Sequence, residues 1–327
     1  MSPTPYLMGW LFLWAATAFA AGFTNPLLPR GQDPSAVFYD GRWWLLQSDG
    51  SLFLRSATHL AGLASAPKTE VWPKQCCGVW APELVRLRDR WWIYYARDEG
   101  QNESHPMYSL AGTGDSPAGP YLDRGRLFDP AADRWAIDGA AFEFRSQLYF
   151  VWSGWPGATN GQQNLYVAPM SDPATLSGPR RLLAEPSEAW ERRGLPIMEG
   201  PQPLIRGDRL FIVYSASGSW TDDYCLGLLE FVGPEVLDRR SWKKHPAPVF
   251  AHATGSWGPG HNSPVLGPRG QWWNLYHAID EPGGGWRRRS LRAQPFTWSE
   301  AGLPEFGTPL APGTAVSDSE APRPTPP

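Results

Sequence analysis

Arg88-Asp89-Arg90-Trp91-Trp92-Ile93-Tyr94-Tyr95 joins a short polar turn to a run of aromatic and β-branched side chains, and the same device returns four more times. Its counterparts are Asp40-Gly41-Arg42-Trp43-Trp44-Leu45, Arg145-Ser146-Gln147-Leu148-Tyr149-Phe150-Val151-Trp152, Gly207-Asp208-Arg209-Leu210-Phe211-Ile212-Val213-Tyr214 and Arg269-Gly270-Gln271-Trp272-Trp273-Asn274-Leu275-Tyr276. Each predicts a two- or three-residue hairpin turn feeding a strand. The strands start at 43, 91, 148, 210 and 272, so they are separated by 48, 57, 62 and 62 residues. Periods of that size suit one four-stranded sheet per repeat, and five sheets packed around an axis predict an all-β, five-bladed β-propeller. The 35 Pro and 34 Gly leave few windows for an uninterrupted helix. A β-sandwich is the rival architecture, but it gives no account of a fivefold period.

Ahead of each strand lies a residue at a nearly constant offset. Asp33 precedes Trp43 by 10, Trp80 precedes Trp91 by 11, Asp138 precedes Leu148 by 10, Glu199 precedes Leu210 by 11 and His261 precedes Trp272 by 11. Equivalent positions in a propeller lie at equivalent places around its axis, so these five are expected to ring one end of the central channel. Three of the five are acids. An Asp-Pro or Glu-Gly-Pro taken singly reads as a turn or strand cap, and a ring of acids also suits Ca²⁺. Independent turns would not share a register, however. Hydrolysis of a glycosidic bond with inversion needs one carboxyl group to protonate the departing oxygen and another to take a proton from water on the opposite face. A third carboxylate beside the acid raises its pKa by like-charge repulsion.

Composition narrows the alternatives. The 327 residues suffice for one large all-β domain. A net charge of −3, a pI near 6.1 and the absence of a basic run argue against nucleic acid and anionic membrane as partners. The 19 Trp residues serve sheet cores and also stack on sugar rings. Gly9 to Ala20 is an apolar run ending in the small-x-small site Ala18-Phe19-Ala20, which predicts a signal peptide over 1–20 and a secreted or periplasmic protein. The propeller is then expected over 21–310 and a disordered, Pro-rich tail over 311–327. Among Cys76, Cys77 and Cys225, neighbouring cysteines bond to each other only with strain, so a bridge from Cys225 to one of the pair is the expected arrangement.

At the ring residues the sequence resembles glycoside hydrolase family 43, over about Asp33 to Pro309. Gln32-Asp33-Pro34-Ser35, Ala136-Ile137-Asp138-Gly139 and Met198-Glu199-Gly200-Pro201 resemble its first-, third- and fourth-blade motifs. Val79-Trp80-Ala81-Pro82-Glu83 and Gly258-Pro259-Gly260-His261-Asn262-Ser263 are similar to those of the second and fifth. The resemblance implies Asp33 as general base, Asp138 as modulator of the acid's pKa and Glu199 as general acid. Val151 to Trp155, Gln163 to Tyr166, Tyr214 to Gly218, Asp223 to Gly227 and Arg292 to Trp298 are most similar to the family's exo-acting α-L-arabinofuranosidases. That implies an inverting enzyme releasing terminal arabinofuranose from α-1,5-linked arabinan, a plant cell-wall polysaccharide, or its oligosaccharides. Gln75-Cys76-Cys77-Gly78 departs from the polar run expected there.

Substrate contacts are expected from Trp80, Trp155, Asn164, Tyr224 and Arg292. Trp80 suits either an apolar floor under the sugar or blade packing, and Arg292 either sugar hydroxyls and the acid ring or a structural pair. His261 supports the channel centre or helps hold an ion through water, since the resemblance implies a structural Ca²⁺ in some relatives. His277 reads as a core or supporting residue. The mechanism itself requires no cofactor. Rival readings are a β-xylosidase or galactan-degrading enzyme of the same family, a non-catalytic glycan-binding propeller, and a scaffold for protein partners.

Overall fold

The computed structural model describes residues 22–129 and 131–317, and the segment expected as a signal peptide lies outside them. The described chain is all-β apart from short 3₁₀ turns, and it forms a five-bladed propeller. Blade one runs from its inner strand Ser35–Tyr39 through Arg42–Ser48 and Leu52–Ala57 to Thr69–Trp72. The inner strands of the next four blades are Val79–Leu87, Ala136–Phe144, Met198–Arg206 and Trp257–Leu266. Four blades are antiparallel meanders in chain order, and in the third both Thr175–Leu176 and Arg181–Ala184 pair with Asn164–Asp172.

The five aromatic runs are the second strands: Arg42–Ser48, Arg90–Arg97, Gln147–Gly154, Arg209–Ala216 and Trp272–Ile279. Three of the connecting turns, Asp40-Gly41, Arg88-Asp89 and Arg145-Ser146, hold both residues at positive φ. That backbone carries the right-handed strand twist across a two-residue loop. Large side chains alternate into the spaces between blades. Trp43 of blade one meets Trp273 of blade five edge-on at 6.2 Å between ring centres, so the first and last blades share one apolar cluster.

Two expectations are corrected. The tail is not irregular from its first residue, because Ala315–Ser317 pairs antiparallel with Gly22–Thr24 in a two-stranded sheet. Val316 is buried in the cluster shared by blades one and five. The cysteines pair the other way: Cys76 and Cys77 are joined to each other, and Cys225 is free. Cys225 sits on Cys225–Phe231, packed among Val151, Leu165, Met198 and Tyr214, whereas the bonded pair is exposed on the loop before Val79. Burial pushes the Cys225 thiol up to about 12, leaving it without thiolate character near neutrality.

Candidate active site

The inner strands share an irregularity that makes the site. Antiparallel pairing with the second strand is interrupted between Trp80 and Glu83, Ile137 and Ala140, Glu199 and Gln202, and Gly260 and Ser263. At the second residue of each interruption the backbone turns left-handed: φ is 40° at Ala81, 56° at Asp138, 54° at Gly200 and 44° at His261, and Asp33 before blade one has 45°. These five are the equivalent positions. Asp33 and Asp138 therefore occupy the bulge itself, while Trp80 and Glu199 come one residue earlier. That single step explains why the offsets in the sequence alternate between 10 and 11. His261 keeps the bulge position despite its offset of 11.

The bulges turn Asp33, Asp138 and His261 toward the axis, and together with Glu199 they line one cavity of about 660 Å³. The His261 ring lies between two carboxylates, its Nδ1 3.4 Å from Asp33 Oδ1 and 3.9 Å from Asp138 Oδ2. Gly200 completes the ring because a Cβ there would come 3.1 Å from that imidazole. Its N–H donates to Asp138 Oδ2 at 3.0 Å.

The three acids have opposed environments. Burial alone would raise Asp33, but neighbouring groups outweigh it and hold the carboxyl far below its ordinary range. Arg289 Nη1 donates to Asp33 Oδ1 at 3.2 Å, and His277 Nδ1 lies 3.3 Å from the same oxygen. Burial pushes both imidazoles down, His277 to about 3, so near neutrality they act as dipoles and Arg289 is the local cation. Glu199 goes the other way: burial and the Asp33 charge raise it to about 7, against donors that include the Tyr224 hydroxyl, 2.8 Å from Oε1. Burial first, then the charges of Glu199 and Asp33, push Asp138 well above its usual value. One carboxylate is kept ionised beside two that resist ionising together, and that division separates a base from an acid.

The other expected contacts are placed as follows. Trp80 lines the cavity, 38% exposed, its ring 3.9 Å from that of His105. Trp155, Asn164, Tyr224 and Arg292 are buried and do not line it, which corrects the expectation that they touch substrate. Trp155 stacks behind Trp135, which does face the cavity, at 4.6 Å and 10°. Asn164 Oδ1 accepts from Gln162 Nε2 at 2.8 Å, and the neighbouring Gln163 lines the cavity instead. Tyr224 supports Glu199 from behind, its ring parallel to that of His277. Arg292 donates to Asp280, Gly255 O and Leu310 O at 2.6, 3.0 and 2.6 Å. Arg289 and Arg292 stand three residues apart on the strand Arg289–Trp298, so the pleat sends them to opposite faces and only Arg289 reaches Asp33.

Arg289 and His277 were not identified as partners of the base from sequence. The only signal was a run of three arginines, Arg287 to Arg289, at the start of a strand. Glu83 was quoted only as part of a motif. It is buried on the axis, accepts from Gln202 Nε2 at 2.6 Å, and burial pushes it up to about 8. A Ca²⁺ ion in this channel would find the buried His261 Nε2 without a partner, as is Nε2 of the neighbouring His277. Among the described residues no group of three or more His, Cys, Asp or Glu is arranged to hold a metal. A hard cation takes six to eight oxygens, so an ion beside His261 would draw most of its ligands from water.

The sequence profile of the Glycosyl hydrolases family 43 matches residues 23–304. An extracellular exo-alpha-(1->5)-L-arabinofuranosidase of Streptomyces avermitilis is 33% identical over 89% of this chain and 64% of its own length. Alpha-L-arabinofuranosidase 43 of Humicola insolens is 30% identical over 91% of this chain and 66% of its own. The chain thus spans about two thirds of the length of these curated relatives. A crystal structure of an alpha-L-arabinofuranosidase from Lactobacillus brevis superposes with a TM-score of 0.82 at 30% identity, covering 89% of this chain and 98% of that one. With a profile match across most of its length, and with the propeller and its carboxylate ring in place, the chain belongs to the glycosyl hydrolases of family 43.

Proposed function

We propose that the protein is an inverting, exo-acting α-L-arabinofuranosidase that releases terminal arabinofuranose from α-1,5-linked arabinan or its oligosaccharides. The observation that carries this reading is the division of the three buried carboxyls in one cavity, Asp33 kept ionised while Glu199 and Asp138 are both raised and retain a proton between them. Asp33 takes a proton from the attacking water. Glu199 passes its own to the departing glycosidic oxygen. Asp138 disfavours ionisation of Glu199 by its charge and is oriented by the Gly200 N–H. The transfers run between carboxyls, water and substrate, so they call for no cofactor. The names of the relatives support the arabinofuranosyl assignment, and that of the Streptomyces avermitilis protein supports an extracellular location. No helix among the described residues is long and apolar enough to cross a membrane.

The test is proton NMR of the first minutes of hydrolysis of linear α-1,5-arabino-oligosaccharides. Water entering opposite an α-linked leaving group gives the β-anomer first, before mutarotation. Initial α-anomer would refute inversion. Early oligosaccharide products from arabinan would refute exo action. Turnover of xyloside or galactoside instead of arabinofuranoside in a parallel screen of aryl glycosides would move the substrate to one of the family rivals. Binding without turnover of any of them would leave a glycan-binding propeller.

A further inference from the structure

An acid that protonates the departing oxygen stands on the leaving-group side of the bond it helps to break. The surface beside Glu199 is therefore where the retained part of the substrate must pass. Ser219 lines the cavity beside Glu199, lowers its pKa, and accepts from Trp286 Nε1 at 3.0 Å. Trp286 meets Trp220 edge-on, with ring centres 5.6 Å apart, and both indoles line the cavity. Trp286 is 58% exposed. A lone exposed indole is ordinary on a protein surface, but this one is fixed at its nitrogen and along its edge, at the mouth of a carboxylate cavity.

The rim that carries the two rings is held in shape. A Cβ on Gly218 would come 2.7 Å from the Trp220 ring and one on Gly194 3.3 Å, so that ring lies against backbone that admits no side chain. Asp222 accepts the Gly283 N–H through both carboxylate oxygens, at 2.9 and 3.0 Å, tying the blade-four loop to the blade-five turn that bears Trp286. Three residues after Trp286, Arg289 donates to the base. One rim is thus linked to the acid through Ser219 and to the base through Arg289.

We propose that Trp220 and Trp286 form a binding platform for the leaving group, on which neutral furanose residues of the retained chain stack after the scissile bond. This rests on the arabinofuranosidase reading for the identity of the sugar, and not for the existence of the platform. Flat, rigid indoles offer a large contact area to the apolar face of a sugar ring at little entropic cost. A methyl leaving group is too short to cover them, and a disaccharide leaving group is long enough.

The test is kcat/KM for the full chain and for Trp286→Ala and Trp286→Phe on methyl α-L-arabinofuranoside and on α-1,5-linked arabinobiose and arabinotriose. In Trp286→Ala the loss should grow with the leaving group, from about two-fold on the methyl glycoside to about ten-fold on the trisaccharide, with Phe recovering most of it. An equal loss on all three would mean that the indole acts through Ser219 and Glu199, and would overturn the platform. So would no loss on any. If the parent enzyme prefers glycosides of another sugar, the arabinofuranosyl assignment fails, and the same size series in that sugar decides the platform. If nothing turns over, calorimetric titration with the trisaccharide decides it, unchanged affinity in Trp286→Ala being the refuting result.

Discussion

Replacing Tyr224 by Phe removes one oxygen from behind the proposed acid and leaves the packed ring in place. The hydroxyl donates to Glu199 Oε1 at 2.8 Å inside a buried pocket, and the Tyr224 ring lies parallel to His277. A hydrogen bond to an ionised group contributes about 1.5–3 kcal/mol, and it favours the ionised carboxylate over the protonated acid. Ser219 also lowers the Glu199 pKa and partly compensates the loss. The lower end of that range, at about 1.4 kcal/mol per pKa unit, corresponds to a rise of about one unit. Glu199 must be protonated to act, and its pKa is about 7 in the parent protein. The basic limb of the kcat/KM profile should therefore move from about pH 7 to about pH 8 in Tyr224→Phe. The assay is kcat/KM on arabinobiose from pH 4 to about pH 10, with circular dichroism to confirm the fold. A basic limb that stays in place or moves to lower pH, in a folded variant, would refute the assignment of Glu199 as the acid and Tyr224 as its donor.

Four other outcomes follow from the same geometry. Arg289→Gln removes the cation that lowers both Asp33 and Glu199, so the basic limb set by Glu199 should move to higher pH; an unmoved basic limb would contradict the role given to Arg289. In Asp138→Asn the acid loses a repelling neighbour, and the basic limb should move to lower pH. Glu83 binds a proton in the folded state up to about pH 8, against an ordinary value of 4.5, so its contribution to stability is present below the ordinary value and lost as pH rises toward 8. The melting temperature of Glu83→Gln should accordingly gain on that of the parent between pH 5 and about pH 8, by the equivalent of a few kcal/mol, and a difference independent of pH would refute the burial argument. Ala81→Gly relieves a left-handed alanine and should raise stability by about 0.5–1 kcal/mol in denaturant melts.

The repeat of turn and aromatic strand was legible because it rests on local chemistry. Asp40-Gly41 and Arg88-Asp89 take the left-handed pair that a tight hairpin requires, and Trp43, Trp91 and Leu148 follow as strand residues facing packed layers. The three acids were legible for the same reason, through a register counted from those turns. What the counting could not resolve was a single residue: Glu199 and Trp80 stand one position before Asp33 and Asp138 in the blade, because a bulge has no signature in composition. Arg289 was passed over for Arg292 since both lie near one strand end and only the pleat decides which faces the axis. Cys76 and Cys77 were set aside as neighbours unsuited to pairing, and the partner assigned to them proved to lie inside a packed core. Tyr224, Trp155 and Asn164 were drawn from stretches near the site, and stretches do not distinguish a side chain in the cavity from the one behind it.

The ring of left-handed residues has a consequence for how the enzyme can change. Asp33, Asp138 and His261 each hold a conformation that L-residues adopt at a cost of roughly 1–3 kcal/mol, at positions that line the proposed catalytic cavity. Glycine at any of them would relieve that cost and abolish the side chain, as Gly200 does in the fourth blade, where the proposed acid is its neighbour Glu199. Variants selected for heat resistance alone should therefore drift toward glycine around the axis and lose turnover as they do so, while variants selected for turnover must gain their stability elsewhere, in the turns and the spaces between blades. The propeller divides its sequence between two selective pressures along one circle of backbone, and Ala81 is the place on that circle where a new side chain could be introduced without displacing an existing one.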